Sequence, residues 1–288
     1  MLLREIKNIF HLELDTIYGK DEVASFFYIL IEHYLNLERF VLAFQPDLNI
    51  RKEDEKPLFE GLAKLKSNQP IQYIIGNTIF MDLDFIVNEN VLIPRPETEE
   101  LVRWIIKIIK EKSETNSKND KLKILDIGTG SGCIAIALAK NLSNANLYAL
   151  DVSLEALSVA KKNALQNEVE ITFINADILQ NVNLEEHFDI IVSNPPYVRE
   201  LEKTEMTNNV LEFEPSLALF VTDENPLIFY NSITEFASKK LKVGGVLFFE
   251  INQYLAKETQ QLLEANNFQD IELRKDIFGN DRMLMAVK

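Results

Sequence analysis

The chain has one cysteine, Cys133, so no disulfide can form within it, and with no signal-like apolar leader the expected location is the cytoplasm. No run of eighteen apolar residues exists, which excludes a helical membrane span. Positive charge is scarce: 30 Lys and Arg stand against 45 Asp and Glu, a formal net charge of -15. No dense basic tract breaks that balance. A duplex binder needs positive surface to displace counterions, so direct nucleic-acid binding is not expected, whereas a basic protein partner is compatible. The three histidines, His11, His33 and His187, lie far apart without ligand spacing. No metal site and no Ser-His-Asp grouping is expected.

What is present is an organised chain of 288 residues, 47% of them apolar. Residues 1–75 read as helices: Ile6, Ile9, Phe10, Leu14 and Ile17 fall at helical spacing, as do Val23, Phe26, Phe27, Leu30 and Tyr34. Gly19 separates these two helices, with Asp21 as candidate N-cap. A short helix follows near Phe40, and another opens in Arg51–Lys56 and runs through Leu65. Residues 76–95 read as a β-hairpin linker, with Asn88-Glu89-Asn90 as its turn and Val91–Ile93 as the return. The catalytic domain is expected over residues 96–288. It opens with a helix from Thr98 to Lys110, and Glu111–Asp120 reads as a mobile polar loop. From Lys121 onward strands and helices alternate, which predicts a mostly parallel sheet covered by helices on both faces.

Three strand ends in this region carry chemistry. Asp126-Ile127-Gly128-Thr129-Gly130-Ser131-Gly132 follows the first strand, and its glycines permit a tight turn and close ligand approach. The spacing is neither the dinucleotide fingerprint nor a phosphate loop, which would need a following Lys. Asp151 ends the second strand, where a carboxylate can accept from both ribose hydroxyls of a nucleoside; a turn or helix-cap residue is the competing reading. Asp126 could be structural. Asp177 and Ile178 follow the third strand, where they can meet an adenine edge. Cys133 starts the apolar run Cys-Ile-Ala-Ile-Ala-Leu and reads as a small core residue.

A fourth strand ends in Asn194-Pro195-Pro196-Tyr197. Neither proline can donate to a sheet ladder, so the pair holds a stiff turn at the strand's C-terminal edge. An amide, a backbone carbonyl and a ring at such a turn can receive a flat NH2 group. An ordinary proline-rich turn is the competing reading.

In this order the glycine loop, the acidic residue and the turn resemble a Rossmann-like class I S-adenosylmethionine-dependent methyltransferase. Pro70-Ile-Gln-Tyr-Ile-Ile-Gly76, Leu92-Ile-Pro-Arg-Pro-Glu-Thr-Glu-Glu-Leu101, Phe213-Glu-Pro215 and Asp276-Ile-Phe-Gly-Asn-Asp-Arg282 resemble the bacterial release-factor glutamine methyltransferases. The resemblance spans roughly residues 70–288. It implies an α/β catalytic domain with a small N-terminal helical domain for substrate recognition. It also implies S-adenosyl-L-methionine as cofactor and methylation of the glutamine amide in the Gly-Gly-Gln motif of peptide chain release factors. Carried onto this sequence, Gly128, Thr129, Gly130, Ser131, Gly132, Asp151, Asp177, Ile178 and Asn194 would hold the cofactor. Asn194, Pro195, Pro196 and Tyr197 would bind the glutamine, with Asn194, Pro195 and Tyr197 catalytic. Ile178 departs from the aromatic residue that members of the family can carry there. A monomer is expected. An adenine-N6 or cytosine-N4 DNA methyltransferase, a ribosomal-protein glutamine methyltransferase and a non-catalytic binding module are the alternatives.

Overall fold

The computed structural model describes residues 1–115 and 121–288. Two compact units form: Met1–Gly76 with Thr207–Phe213, and Asn77–Met206 with Glu214–Lys288.

The first unit is helical, with α1 (Leu3–Tyr18), α2 (Lys20–Leu35), α3 (Val41–Phe44), α4 (Lys52–Lys66) and α5 (Ile71–Ile75). Leu3, Ile6, Phe10 and Leu14 recur every three or four residues and bury one face of α1. They meet Val23, Phe26, Phe27 and Leu30 of α2 and Leu58, Leu62 and Leu65 of α4 in one core. The junction of α1 and α2 is Gly19 itself, at φ +82, so Gly19 and not Asp21 is the N-cap of α2. Asp21 instead sits in the first turn, where its charge favours the positive end of the helix dipole.

The second unit begins with a hairpin of β1 (Asn77–Phe80) and β2 (Leu83–Ile86), followed by α6 (Pro96–Thr115). The hairpin turn lies at Met81-Asp82, both at positive φ, rather than at Asn88–Asn90, and Val91–Ile93 forms no strand. A two-residue hairpin turn needs left-handed backbone, which usually announces itself by Gly or Asn; here neither is present. The part of the expected polar loop from Glu111 to Thr115 is helix. Glu and Lys propagate a helix well without burial, so loss of apolar residues did not end it. The rest of that expectation, residues 116–120, lies outside the described residues.

Thereafter come β3 (Leu122–Ile127), α7 (Cys133–Asn141), β4 (Ala145–Asp151), α8 (Leu154–Gln166), β5 (Ile171–Asn175) and β6 (Phe188–Ser193). A short pair, β7 (Val198–Arg199) and β8 (Phe220–Val221), brackets in sequence α9 (Asn208–Phe213), which belongs to the first unit, and α10 (Ser216–Leu219). The chain closes with α11 (Ile228–Lys240), β9 (Leu241–Glu250), α12 (Ala256–Ala265), β10 (Gln269–Lys275) and β11 (Asp281–Val287). Among the described residues, no helix is long and apolar enough to cross a membrane.

The seven-stranded sheet has the order β10-β11-β9-β6-β3-β4-β5. Strands β9, β6, β3, β4 and β5 are parallel, and β11 and β10 add an antiparallel edge. Alternate residues of each strand face opposite layers. Ile124, Ile190, Val192 and Phe248 pack with Trp104 of α6 and Ile134 of α7. Leu125, Ile191, Leu247 and Phe249 pack with Tyr230 and Ile233 of α11. Because β4 and β6 lie on opposite sides of β3, the connections leaving β3 and β6 diverge. Open α/β sheets bind ligands in the crevice that this reversal opens at the carboxyl edge.

Candidate active site

The carboxyl ends of β3, β4 and β6 are aligned by register. Ile127 pairs with both Leu150 and Ser193, so the residues that follow leave the sheet side by side. The Ser193 hydroxyl donates to the Ile127 carbonyl at 2.7 Å and closes the gap between β3 and β6.

The glycine loop is held by two carboxylates. Asp126, fully buried, accepts from the Thr129 hydroxyl at 2.6 Å. Burial pushes its carboxyl up to about 7. Asp151 accepts from the Gly130 amide at 2.8 Å through one oxygen and from the Ser153 amide at 2.9 Å through the other. Burial raises its pKa, and these amide bonds oppose the rise. Asp151 therefore braces the loop and starts α8, whose N-cap Ser153 accepts from the Ala156 amide. Each of its oxygens keeps a further acceptor site. The buried Asn163 of α8, which the sequence did not single out, donates to the Ser131 and Ile86 carbonyls and ties the loop to the hairpin.

A cavity of about 310 Å3 opens over this edge. Gly128, Gly130, Asp151, Asp177, Ile178, Asn194, Pro195 and Pro196 line it together, although they lie up to 68 positions apart in the chain. Thr129, Ser131, Gly132 and Tyr197 do not line it. Thr129 and Ser131 are buried in the loop's own framework. Gly132 is the N-cap of α7 at φ +83, and a Cβ there would lie 2.9 Å from Ile136 Cδ1 and 3.2 Å from Ala160 Cβ. By contrast a Cβ on Gly128 or Gly130 would meet nothing within 4 Å, so open space lies beside both. Asp177 turns one oxygen onto the Leu179 amide at 3.0 Å. Cys133 is a buried core residue, and burial pushes its thiol up to about 12.

The remaining walls come from segments whose role the sequence left open. Glu214 accepts from the Ile93 amide at 3.3 Å and pairs with Arg95, which draws Pro215 and Leu92 to the cavity rim. Behind the proline turn lies a buried polar cluster. The Tyr197 hydroxyl donates to Glu250 Oε1 at 3.1 Å, and Thr98 donates to Glu250 Oε2 at 2.7 Å. Arg282 reaches the Tyr197 hydroxyl at 3.5 Å and Asp276 Oδ2 at 3.1 Å. Burial raises the pKa of both Tyr197 and Glu250. Tyr197 thus faces this cluster rather than the cavity. A carboxylate closing the apolar run Val246-Leu247-Phe248-Phe249 of β9 was the one signal that could have marked Glu250.

A doubly wound sheet with a glycine loop after its first parallel strand, an acidic residue ending the next and a proline turn across the switch point has the architecture of the methyltransferases. Residues 111–215 match the methyltransferase small domain, and residues 18–76 match the PrmC N-terminal domain. The solved structure of the 16S rRNA N2 G1207 methyltransferase of Thermus thermophilus superposes with a TM-score of 0.52 at 18% identity, over 74% of this chain and 49% of that one. The human methyltransferase 10 domain containing protein gives 0.51 at 18% identity, over 72% and 89%. Among curated relatives, the release factor glutamine methyltransferase of Flavobacterium psychrophilum is 55% identical over 99% of this chain and 98% of its own. That of Bacteroides thetaiotaomicron is 43% identical over 95% of each. The chain belongs to the release factor glutamine methyltransferase family.

Proposed function

We propose that this protein transfers a methyl group from S-adenosyl-L-methionine to the side-chain amide nitrogen of the glutamine in the Gly-Gly-Gln motif of peptide chain release factors. The observation that carries this reading is the meeting of Asn194-Pro195-Pro196 with Gly128, Gly130 and Asp151 around one cavity, in a chain 55% identical to a release factor glutamine methyltransferase. The walls suit the donor. Open space at Gly128 and Gly130 admits close approach, Asp151 retains acceptor sites for ribose hydroxyls, and Ile178 offers apolar surface to a base.

Held by Gly128, Gly130 and Asp151, S-adenosylmethionine would supply an electrophilic methyl carbon to the glutamine nitrogen, with its sulfide as the leaving group. An amide lone pair is delocalised into its carbonyl, so the protein's task is orientation, which can contribute roughly 7–11 kcal/mol to lowering a barrier. The Asn194 side-chain oxygen and the Pro195 carbonyl accept the two N–H groups of the glutamine and stabilise charge developing on nitrogen. Pro196 stiffens the turn that carries them. Tyr197, directed to Glu250, holds the turn from behind. The loop residues Thr129, Ser131 and Gly132 keep the donor site in shape.

The helical unit supplies a second surface for the protein substrate, because one glutamine offers little contact area. The reaction belongs in the cytoplasm, and the enzyme acts as a monomer. The net charge of -15 disfavours a DNA base as acceptor. The deciding assay incubates purified release factor or DNA with labelled donor and maps the methylated residue. Label on the Gly-Gly-Gln glutamine is expected from the native protein, and none from Asn194→Ala at unchanged thermal stability. Transfer to DNA alone, or a fully active Asn194→Ala, would overturn the assignment.

A further inference from the structure

We infer that Thr98 is a positioning residue for this reaction: anchored on Glu250, its hydroxyl fixes the Asn194 amide with the oxygen turned to the acceptor. This inference rests on the functional reading above. Thr98 lies in the first turn of α6 and Glu250 at the end of β9, and both are buried. Phe248 and Glu250 share one face of β9, the face against which α6 packs through Trp104. Thr98 Oγ1 donates to Glu250 Oε2 at 2.7 Å, and Asn194 Nδ2 donates to Thr98 Oγ1 at 3.3 Å.

The chemistry of the hydroxyl gives this line a direction. A threonine hydroxyl has one proton. Burial raises the pKa of Glu250, while Thr98, Arg282 and Tyr197 oppose that rise, and as the carboxylate it has no proton to give. Glu250 accepts on both oxygens, from Thr98 and from Tyr197. The Thr98 proton is therefore committed to Glu250, and only a lone pair faces Asn194. Of the two ends of the Asn194 amide, only the NH2 can satisfy that lone pair. The oxygen is then left for the cavity, which Asn194 lines. The reversed amide would set NH2 against the NH2 of the incoming glutamine and lose the acceptor that orients its nitrogen. Glu250 does not line the cavity, so it acts through Thr98 rather than on the substrate.

The test compares Thr98→Val, which keeps the shape and removes the hydroxyl, with Thr98→Ser, which restores it. Valine should lower kcat roughly 100-fold, the scale of a misplaced reacting group, with donor affinity unchanged. Serine should recover most of the rate. Glu250→Gln, free to present either end of its amide to Thr98, should also lower kcat. A purely structural Thr98 would instead lower thermal stability and leave kcat at saturating substrate intact. Independently of activity, the Asn194 side-chain NH2 signals in a 15N-resolved NMR spectrum, identified by their absence in Asn194→Asp, should be protected from solvent exchange in the native protein. Unchanged kcat in Thr98→Val, a serine variant as slow as valine, or unprotected Asn194 NH2 signals would each overturn the inference. A native protein that shows protected signals but methylates no glutamine would overturn the functional reading and leave the orientation of Asn194 standing.

Discussion

Two glycines four positions apart in one loop should fail in opposite ways when each becomes alanine. Gly132 has φ +83, and its Cβ would press to 2.9 Å on Ile136 Cδ1 and 3.2 Å on Ala160 Cβ. Left-handed backbone costs an alanine about 1–2 kcal/mol, and overpacking a closed core costs about 1–3 kcal/mol more. Gly132→Ala should therefore lose about 2–5 kcal/mol. At roughly 2–4 °C per kcal/mol for a unit of this size, its melting temperature should fall on the order of 5–20 °C. Gly128 has φ +75 but nothing within 4 Å of a Cβ, so only the backbone strain of about 1–2 kcal/mol applies. Its methyl group would instead stand in the cavity. Gly128→Ala should weaken binding of S-adenosylmethionine at least roughly tenfold, about 1.4 kcal/mol, while melting only a few degrees early. Thermal denaturation and titration calorimetry separate the two effects. Equal melting losses in both variants, or donor affinity untouched by Gly128→Ala, would refute the division of this loop into a packed end and a ligand-facing end.

The Asp126 carboxyl, pushed from 3.8 to about 7 by burial, keeps its proton in the folded protein over a range where the unfolded chain has lost it. Its contribution to stability is therefore full below the unfolded pKa and declines as pH rises towards the folded one, by about 1.4 kcal/mol per pH unit. Urea unfolding at pH 5 and pH 7 should show the native protein losing on the order of 2–3 kcal/mol more than Asp126→Asn over that interval; parallel curves would contradict the assignment. Cys133, buried with its thiol pushed up to about 12, should resist iodoacetamide at pH 8 until the protein is unfolded, and prompt labelling of the folded form would place it outside the core. Deleting residues 1–75 should raise KM for an intact release factor more than for a short Gly-Gly-Gln peptide, and equal effects would deny the helical unit a part in recognition.

The sequence by itself determined most of the elements and the cavity's principal chemistry. Hydrophobic period separates helix from strand, and residues such as Ile124 and Leu125, adjacent in sequence, face opposite layers as alternation requires. The glycine loop, Asp151 and the Asn194 turn were legible because each is a local signal at a strand's end. Local signals mislead where the chain departs from custom. The hairpin turns at Met81-Asp82 without glycine or asparagine, and α6 continues through polar residues that still favour helix.

Tertiary structure alone decided how those signals divide their work. Strand order, with β6 inserted on the far side of β3 from β4, brings the glycine loop and the proline turn to one crevice. Within it, Gly128 and Gly130 face open space whereas Gly132 packs against α8, and Tyr197 turns away to Glu250. Thr98 and Glu250 are 152 positions apart and meet only because α6 crosses the face of β9. A hydrogen bond depends on distances of about 3 Å and on which group carries the proton, and neither is written in the order of residues along the chain.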